Sequence, residues 1–250
     1  MREIARLAAL SSPQSGAWLQ CAPIPALGLH LRSQEFVVAV KFRLGIPVYN
    51  HPGICPACGR DSDTLGDHGL VCGYGGERIS RHHSLRDSLF ATAQAAGLAP
   101  QKEVRGLLPG TDLRPADILI PRWTAGRDTA LDVTIIHPFQ QATCDREAND
   151  PGFSLRYAYD NKMRGTAELC RQQGIEFLPI VANSLGGWHN EALHQFRKLG
   201  SALSRNTGTD ESVCVGQVIM KNSLLLQKGL CALILNRSPN LPPPPISGSM

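Results

Sequence analysis

Two short apolar runs, each interrupted by one aspartate, constrain this chain more than any other feature. The first reads Arg114-Pro115-Ala116-Asp117-Ile118-Leu119-Ile120, the second Ala130-Leu131-Asp132-Val133-Thr134-Ile135-Ile136. β-Branched segments of this length are expected to be interior strands of a sheet. An ionised carboxylate in such a strand is costly unless it meets a cation or strong donors. Because a hairpin-length connection joins the runs, the strands should be neighbours, and one divalent ion could then satisfy both Asp117 and Asp132.

The rest of the chain supplies elements to build around that pair. Helices are expected in residues 1–50, one capped by Ser33 and stopped by Gly45. A helix from about Glu77 to Ala96 should turn Ile79, His83, Leu85, Leu89, Phe90 and Ala93 inward, with Gly97 as its stop. Strands are expected at Lys102–Arg105, Arg114–Ile120 and Thr129–Ile136, separated by Gly/Pro/Asp turns. Ser154 should cap a long helix over Leu155–Gln173, ended by Gly174. Ile175–Ala182 reads as a fourth strand that Pro179 places near an edge or bulge. Helices at about Trp188–Ser204 and Glu211–Leu235 close the chain, with Trp188 a core residue at a loop–helix junction. Helix, three strands, helix, strand, helices describes an α/β sandwich around a small mixed sheet. The divisions expected are a helical segment over 1–50, a metal knuckle over 51–76, the α/β domain over 77–237 and an extended Pro-rich tail over 238–250.

Bulk properties bound the function loosely. A hydrophobic share of 42% and a charged share of 18% belong to an ordinary globular protein, and the net charge of +4 permits a polyanionic partner without demanding one. No run of about 20 apolar residues stands out, so no membrane span and no membrane partner are expected. Three of the eight cysteines cluster around His68, and the other five are scattered. With charges at Arg2, Glu3 and Arg6 there is no signal-peptide pattern, so a reducing intracellular compartment is expected and the scattered cysteines read as small buried apolar residues.

The clustered cysteines form the most specific motif. Cys55-x2-Cys58-x9-His68-x3-Cys72 supplies three thiolates and an imidazole, a complete tetrahedral set that leaves no open position for catalysis. The surrounding segment is too rich in glycine and polar residues to hold a core, and a structural zinc ion would staple it. His82 and His83 are alternative ligands, but they fall within the expected helix.

Phosphodiester hydrolysis with a divalent metal needs carboxylates to hold Mg²⁺ or Mn²⁺ and a cation to stabilise charge on the phosphate. Asp117 and Asp132 are the candidate ligands, with Glu103 on the preceding strand as a third. Lys162, one turn beyond Tyr159 in the following helix, is the candidate cation. The basic stretch Arg78, Arg81, His82 and Arg86 is the candidate contact to nucleic-acid phosphates.

The order of the knuckle, Arg81-His82-His83, Arg114-Pro115-Ala116-Asp117, Leu131-Asp132-Val133-Thr134 and Lys162 resembles the C-terminal part of site-specific non-LTR retrotransposon proteins. In these, a reverse transcriptase is followed by a CCHC zinc knuckle and a restriction-like endonuclease of the PD-(D/E)XK type. The resemblance spans roughly residues 50–185, and the stretch from Ser15-Gly16-Ala17-Trp18-Leu19 to Arg43-Leu44-Gly45 looks like the segment after the polymerase. In that subgroup the lysine has moved from the strand into the following helix, and here the position two after Asp132 is Thr134. The chain departs from the family in its looser Pro115-Ala116-Asp117 spacing. It also has no Asp-Asp polymerase motif, which suggests a fragment, a remnant or a host gene derived from an element.

The resemblance implies a metal-dependent DNA endonuclease acting in the nucleus, with a parent element's reverse transcriptase as a further partner. Two other readings use the same residues: a non-catalytic DNA- or RNA-binding module, and an interaction protein that binds protein through its knuckle.

Overall fold

The computed structural model describes residues 1–110 and 114–239, so the tail expected at 238–250 lies outside the described residues beyond Pro239. Helices α1 (Arg2–Leu10) and α2 (Ser33–Leu44) come first, then a ribbon of β1 (Gly53–Ile54) and β2 (Asp61–Ser62), then α3 (Asp67–Val71) and α4 (Glu77–Ala95). Strands β3 (Gln101–Lys102), β4 (Ile118–Thr124) and β5 (Arg127–Ile136) lead into α5 (Cys144–Asn149), α6 (Phe153–Lys162) and α7 (Glu168–Gln172). Strand β6 (Glu176–Asn183), α8 (Asn190–Thr207) and α9 (Glu211–Leu235) complete the order.

The main sheet runs β3-β4-β5-β6, antiparallel except for the parallel β5–β6 pair. A parallel pair needs a crossover, which α5, α6 and α7 provide. Alternation along the strands builds two apolar faces. Ile118, Ile120, Leu131, Val133 and Ile180 meet Leu85 and Leu89 of α4, Phe196 of α8 and Leu226 of α9. On the opposite face, Leu119, Ala130 and Phe177 meet Cys170, while Ile136 and Val181 meet Leu155 and Ala158 of α6. The mixed α/β class and its mixed sheet are therefore as expected.

Element ends differ where the chain uses other chemistry. Strand β4 begins after Asp117 and runs on to Thr124, passing Pro121 through a bulge between Ile120 and Thr124 with Arg122 at positive φ. Strand β3 stops at Lys102 because Glu103 takes a left-handed conformation. Ser33 does not cap α2; the Glu35 carboxylate accepts the Arg32 N–H at 2.7 Å instead. Nor does Ser154 cap α6, where the fully buried Glu147 accepts the N–H groups of Gly152 and Ser154 at 2.9 and 2.6 Å. The expected single helix over 155–173 is instead α6, a π-helical turn at Met163–Ala167, and α7.

In α4, Leu85, Leu89 and Ala93 are buried as expected, but Ile79 is 60% exposed and Arg81 and Arg86 are buried as well. This helix is covered by α9 on one side and the sheet on another, so two flanks are buried and a single apolar stripe misreads it. Helix α9, though interrupted by polar residues such as Lys221 and Lys228, passes a length and hydropathy test for a membrane span. One 18-residue window reaches a mean hydropathy of 1.5, long and apolar enough to cross a bilayer, yet 61% of that window is buried among the other helices.

A second core joins α9 to the N-terminal segment. Ala9, Trp18, Val38, Phe42 and Tyr49 pack with Leu230, Leu233 and Ile234 of α9. Trp188 is a core residue as expected, its indole N–H donating to Ser223 at 3.0 Å.

Close approach of α8 to α9 depends on Gly200, where an added Cβ would lie 2.6 Å from the Val215 Cα. Gly200→Ala is expected to destabilise the protein by about 1–3 kcal/mol, because backbone must move to admit the methyl. A urea unfolding midpoint equal to that of the wild type would contradict this contact.

Candidate active site and metal centre

The knuckle assembles from a ribbon, a tight turn and a short helix. Cys55 closes the ribbon, donating its N–H to the Arg60 carbonyl at 2.8 Å and accepting from Gly59 at 2.9 Å. Gly59 sits at φ +70°, which a side chain would resist. The Asp63 carboxylate then accepts the N–H groups of Asp67 and His68 at 3.1 and 2.8 Å, starting α3 and fixing His68. Cys72 ends that helix.

The result is a group in which Cys55, Cys58, His68 and Cys72 each offer a donor atom within 4.8 Å of the others. Cys58 Sγ and His68 Nε2 are 3.2 Å apart. Burial holds His68 below the usual histidine range, favouring the neutral imidazole that ligates metals. The Cys72 thiol is also lowered: burial opposes this, but the Tyr74 N–H, Arg237 and the neighbouring thiols outweigh it. Arg237, 2% exposed, ties this side to α4 by pairing with Glu77 at 2.6 Å and donating to the Tyr74 carbonyl. The donor set suits a metal ion such as zinc.

The second assembly lies at the end of the main sheet. Ile118 faces Leu131 and Leu119 faces Ala130, and one further step of that register sets Asp117 opposite Asp132. The Asp117 N–H donates to the Leu131 carbonyl at 3.0 Å, which holds the register to that point. Asp117 Oδ2 accepts the Val133 N–H at 2.7 Å and lies 2.9 Å from His82 Nε2 on α4. Asp132 Oδ2 accepts from the Thr134 hydroxyl at 3.0 Å and pairs with Lys162 Nζ at 2.9 Å. Both sets of contacts fall on Oδ2, leaving each Oδ1 without a protein partner among the described residues.

Electrostatics follow from this crowding. Burial, reinforced by the charge of Asp117, pushes Asp132 above the usual carboxylate range, although Lys162 and Thr134 oppose it. The hydrogen bond to Asp117 raises His82 in spite of its burial. Lys162 is the last residue of α6, immediately before the π-helical turn. Its anchorage starts with Glu147, which accepts N–H groups at the start of α6, and continues through Tyr159, which stacks on His189 with ring centroids 4.2 Å apart.

Asp117, Asp132 and Lys162 are thus brought together. Glu103 adjoins them along the backbone, its N–H reaching the Asp117 carbonyl at 3.2 Å, but its carboxylate pairs with Arg86. Among the expected phosphate contacts, Arg78 is exposed, His82 is engaged with Asp117, Arg86 is held by Asp87 and Glu103, and Arg81 is buried. Arg81 and Arg86 therefore do not form the open basic surface that their spacing suggested. His82 as the partner of Asp117 and Thr134 as the partner of Asp132 were not expected. A histidine 35 residues from its carboxylate leaves no local signal, whereas Thr134 at two residues from Asp132 on one strand could have been read.

No protein-family model matches the chain, and no curated protein does.

Purified protein is expected to contain about one zinc per chain, and Cys72→Ser to lower both that content and the thermal midpoint. Metal analysis that finds no zinc in folded protein would exclude the ion from the architecture.

Proposed function

We propose that the protein is a metal-dependent DNA endonuclease that hydrolyses phosphodiester bonds at the Asp117–Asp132–Lys162 cluster, with the knuckle as a structural zinc site. The observation that carries this reading is the meeting of two partly buried carboxylates, opposed in register, with a lysine that comes from a different element. Burying two like charges side by side is unfavourable in itself, and it becomes useful where a divalent cation and a phosphate are to be held.

The free Oδ1 atoms of Asp117 and Asp132 are hard oxygen donors of the kind Mg²⁺ or Mn²⁺ takes. Two protein carboxylates are an ordinary complement for Mg²⁺, which keeps waters and substrate oxygens as its remaining ligands. A bound cation would supply charge neutralisation and a more acidic water. The protein's own groups do the rest. His82 and the Val133 N–H hold Asp117 in one orientation, and the Thr134 hydroxyl does the same for Asp132. Lys162, paired with Asp132 at 2.9 Å, would be the group to meet an oxygen of the scissile phosphate. Arg78, exposed beside the knuckle, supplies a backbone contact. The resemblance to retrotransposon endonucleases supports the choice of DNA, with the nucleus as its place of action and the element's reverse transcriptase as a partner.

One observation favours a second reading, a DNA- or RNA-binding module without catalysis. Each aspartate already has a partner in the protein, His82 for Asp117 and Lys162 for Asp132, so neither carboxylate needs an ion to be satisfied.

Nicking of supercoiled DNA separates the two. Activity should require Mg²⁺ or Mn²⁺ and disappear in Asp117→Asn and Asp132→Asn. Lys162→Ala should lose roughly 10²-fold or more in rate while retaining DNA affinity, since the loss falls on the transition state. Salt-sensitive binding with no nicking in the wild type, or full activity in Asp132→Asn, would favour the binding module.

A further inference from the structure

Beside the carboxylate cluster lies a cleft of about 520 Å³ between the end of the knuckle and α4. It is lined by Gly73, Gly75, Arg78, Arg81, His82 and His83, with Ile135 at the sheet end. His82 is the shared wall, facing the cleft and bonded to Asp117 on the other side. Among the described residues, no carboxylate lines it.

Arg81 forms part of this lining and is unlike the other buried arginines. It is 5% exposed, yet its Nε and Nη1 atoms are buried with no hydrogen-bond partner among the described residues. By contrast, Arg237 has Glu77, Arg86 has Asp87 and Glu103, and the half-buried Arg2 has Asp67. Two guanidinium donors buried in this way are unfavourable, since they have lost water without replacement. Burial, followed by repulsion from Arg78, pushes Arg81 down to about 10.

The fold nevertheless makes room for this side chain. Gly229, in the interior of α9, lies against the Arg81 stem, and a Cβ there would come within 2.4 Å of Arg81 Cγ. A glycine inside a helix costs about 1 kcal/mol relative to alanine. The stem is thus held by shape while the head lacks a partner.

We infer that this cleft is a phosphate-binding site in which Arg81 forms the floor and Arg78 the rim. The chemistry selected is a compact oxyanion able to accept from a forked guanidinium. Assigning it to a backbone phosphate next to the scissile one rests on the nuclease reading, whereas the anion site itself does not.

Inorganic phosphate is the direct probe, with sodium chloride at matched ionic strength as the control and no added divalent metal. In the wild type, phosphate at a hundredfold above its Kd should raise the thermal midpoint by about 5–10 °C. Arg81→Met keeps the stem and removes the charge, so it should be at least as stable as the wild type without phosphate and lose the phosphate-dependent rise. No rise in the wild type, or an equal rise in Arg81→Met, would overturn the site. Should Arg81→Met fail to fold, Arg78→Gln at the exposed rim takes its place and should weaken phosphate binding about tenfold; unchanged binding would count against the site. Binding of duplex DNA, again without divalent metal, identifies the source of the phosphate. Loss of DNA affinity in Arg81→Met assigns the cleft to the strand, and unchanged DNA affinity with a lost phosphate response assigns it to a free phosphate group. Nicking that survives without any phosphate response would refute the cleft and leave the nuclease reading standing, and the reverse result would do the opposite.

Discussion

The fold leans on the apolar surface of one helix. At 25 residues α9 is about 37 Å long, more than a single small core needs. Its first part packs against α8 and the sheet through Val218, Ile219 and Leu226. Its last part, through Leu230, Leu233 and Ile234, receives α2, the Trp18 turn and Leu70 of the knuckle. Tyr49 donates its hydroxyl to the Ile234 carbonyl, and Gly69 sits with its Cα side against the Leu233 carbonyl, so the knuckle is seated on the helix end. A ligand cluster with little core of its own is in this way fixed to the sheet that carries the carboxylates.

Charge is distributed over the sheet end with the same economy. Asp117 and Asp132 meet because antiparallel register opposes them, and each has a partner from a different helix: His82 from α4 and Lys162 from α6. The two helices lie on either side of the sheet, so the cluster depends on all three layers. Removing either helix would leave one buried carboxylate unanswered, which is costly in a low-dielectric setting. Glu103 is kept from adding a third negative charge by its pairing with Arg86. Arg81 is the exception to this matching of buried charge, and it borders the same cluster through His82.

Much of this was legible in the chain itself. The knuckle could be read because its ligands fall within 18 residues and their spacing alone specifies a four-donor set. The strands of Asp117 and Asp132 were legible as apolar β-branched runs, and Gly45, Gly97 and Gly174 marked helix ends because each takes positive φ there. Helix α9 was bounded correctly from its pattern, whereas its hydropathy alone would also suit a membrane. Neither Ser33 nor Ser154 caps its helix: the Glu35 carboxylate accepts the Arg32 N–H, and Glu147 accepts those of Gly152 and Ser154.

What the sequence determined by itself is therefore local: the donor set of the knuckle, the two carboxylate strands and the periodic helices. Tertiary structure alone decided which charges meet. The pairing of His82 with Asp117, of Arg86 with Glu103 and of Lys162 with Asp132 joins residues 35, 17 and 30 positions apart, across elements whose approach is set by side-chain fit and not by spacing. Burial of Arg81 was equally invisible, because it follows from Gly229 on a helix almost 150 residues later. Charge patterns along one helix name the candidates, but only the layers above and below determine which charges face water and which must find a partner.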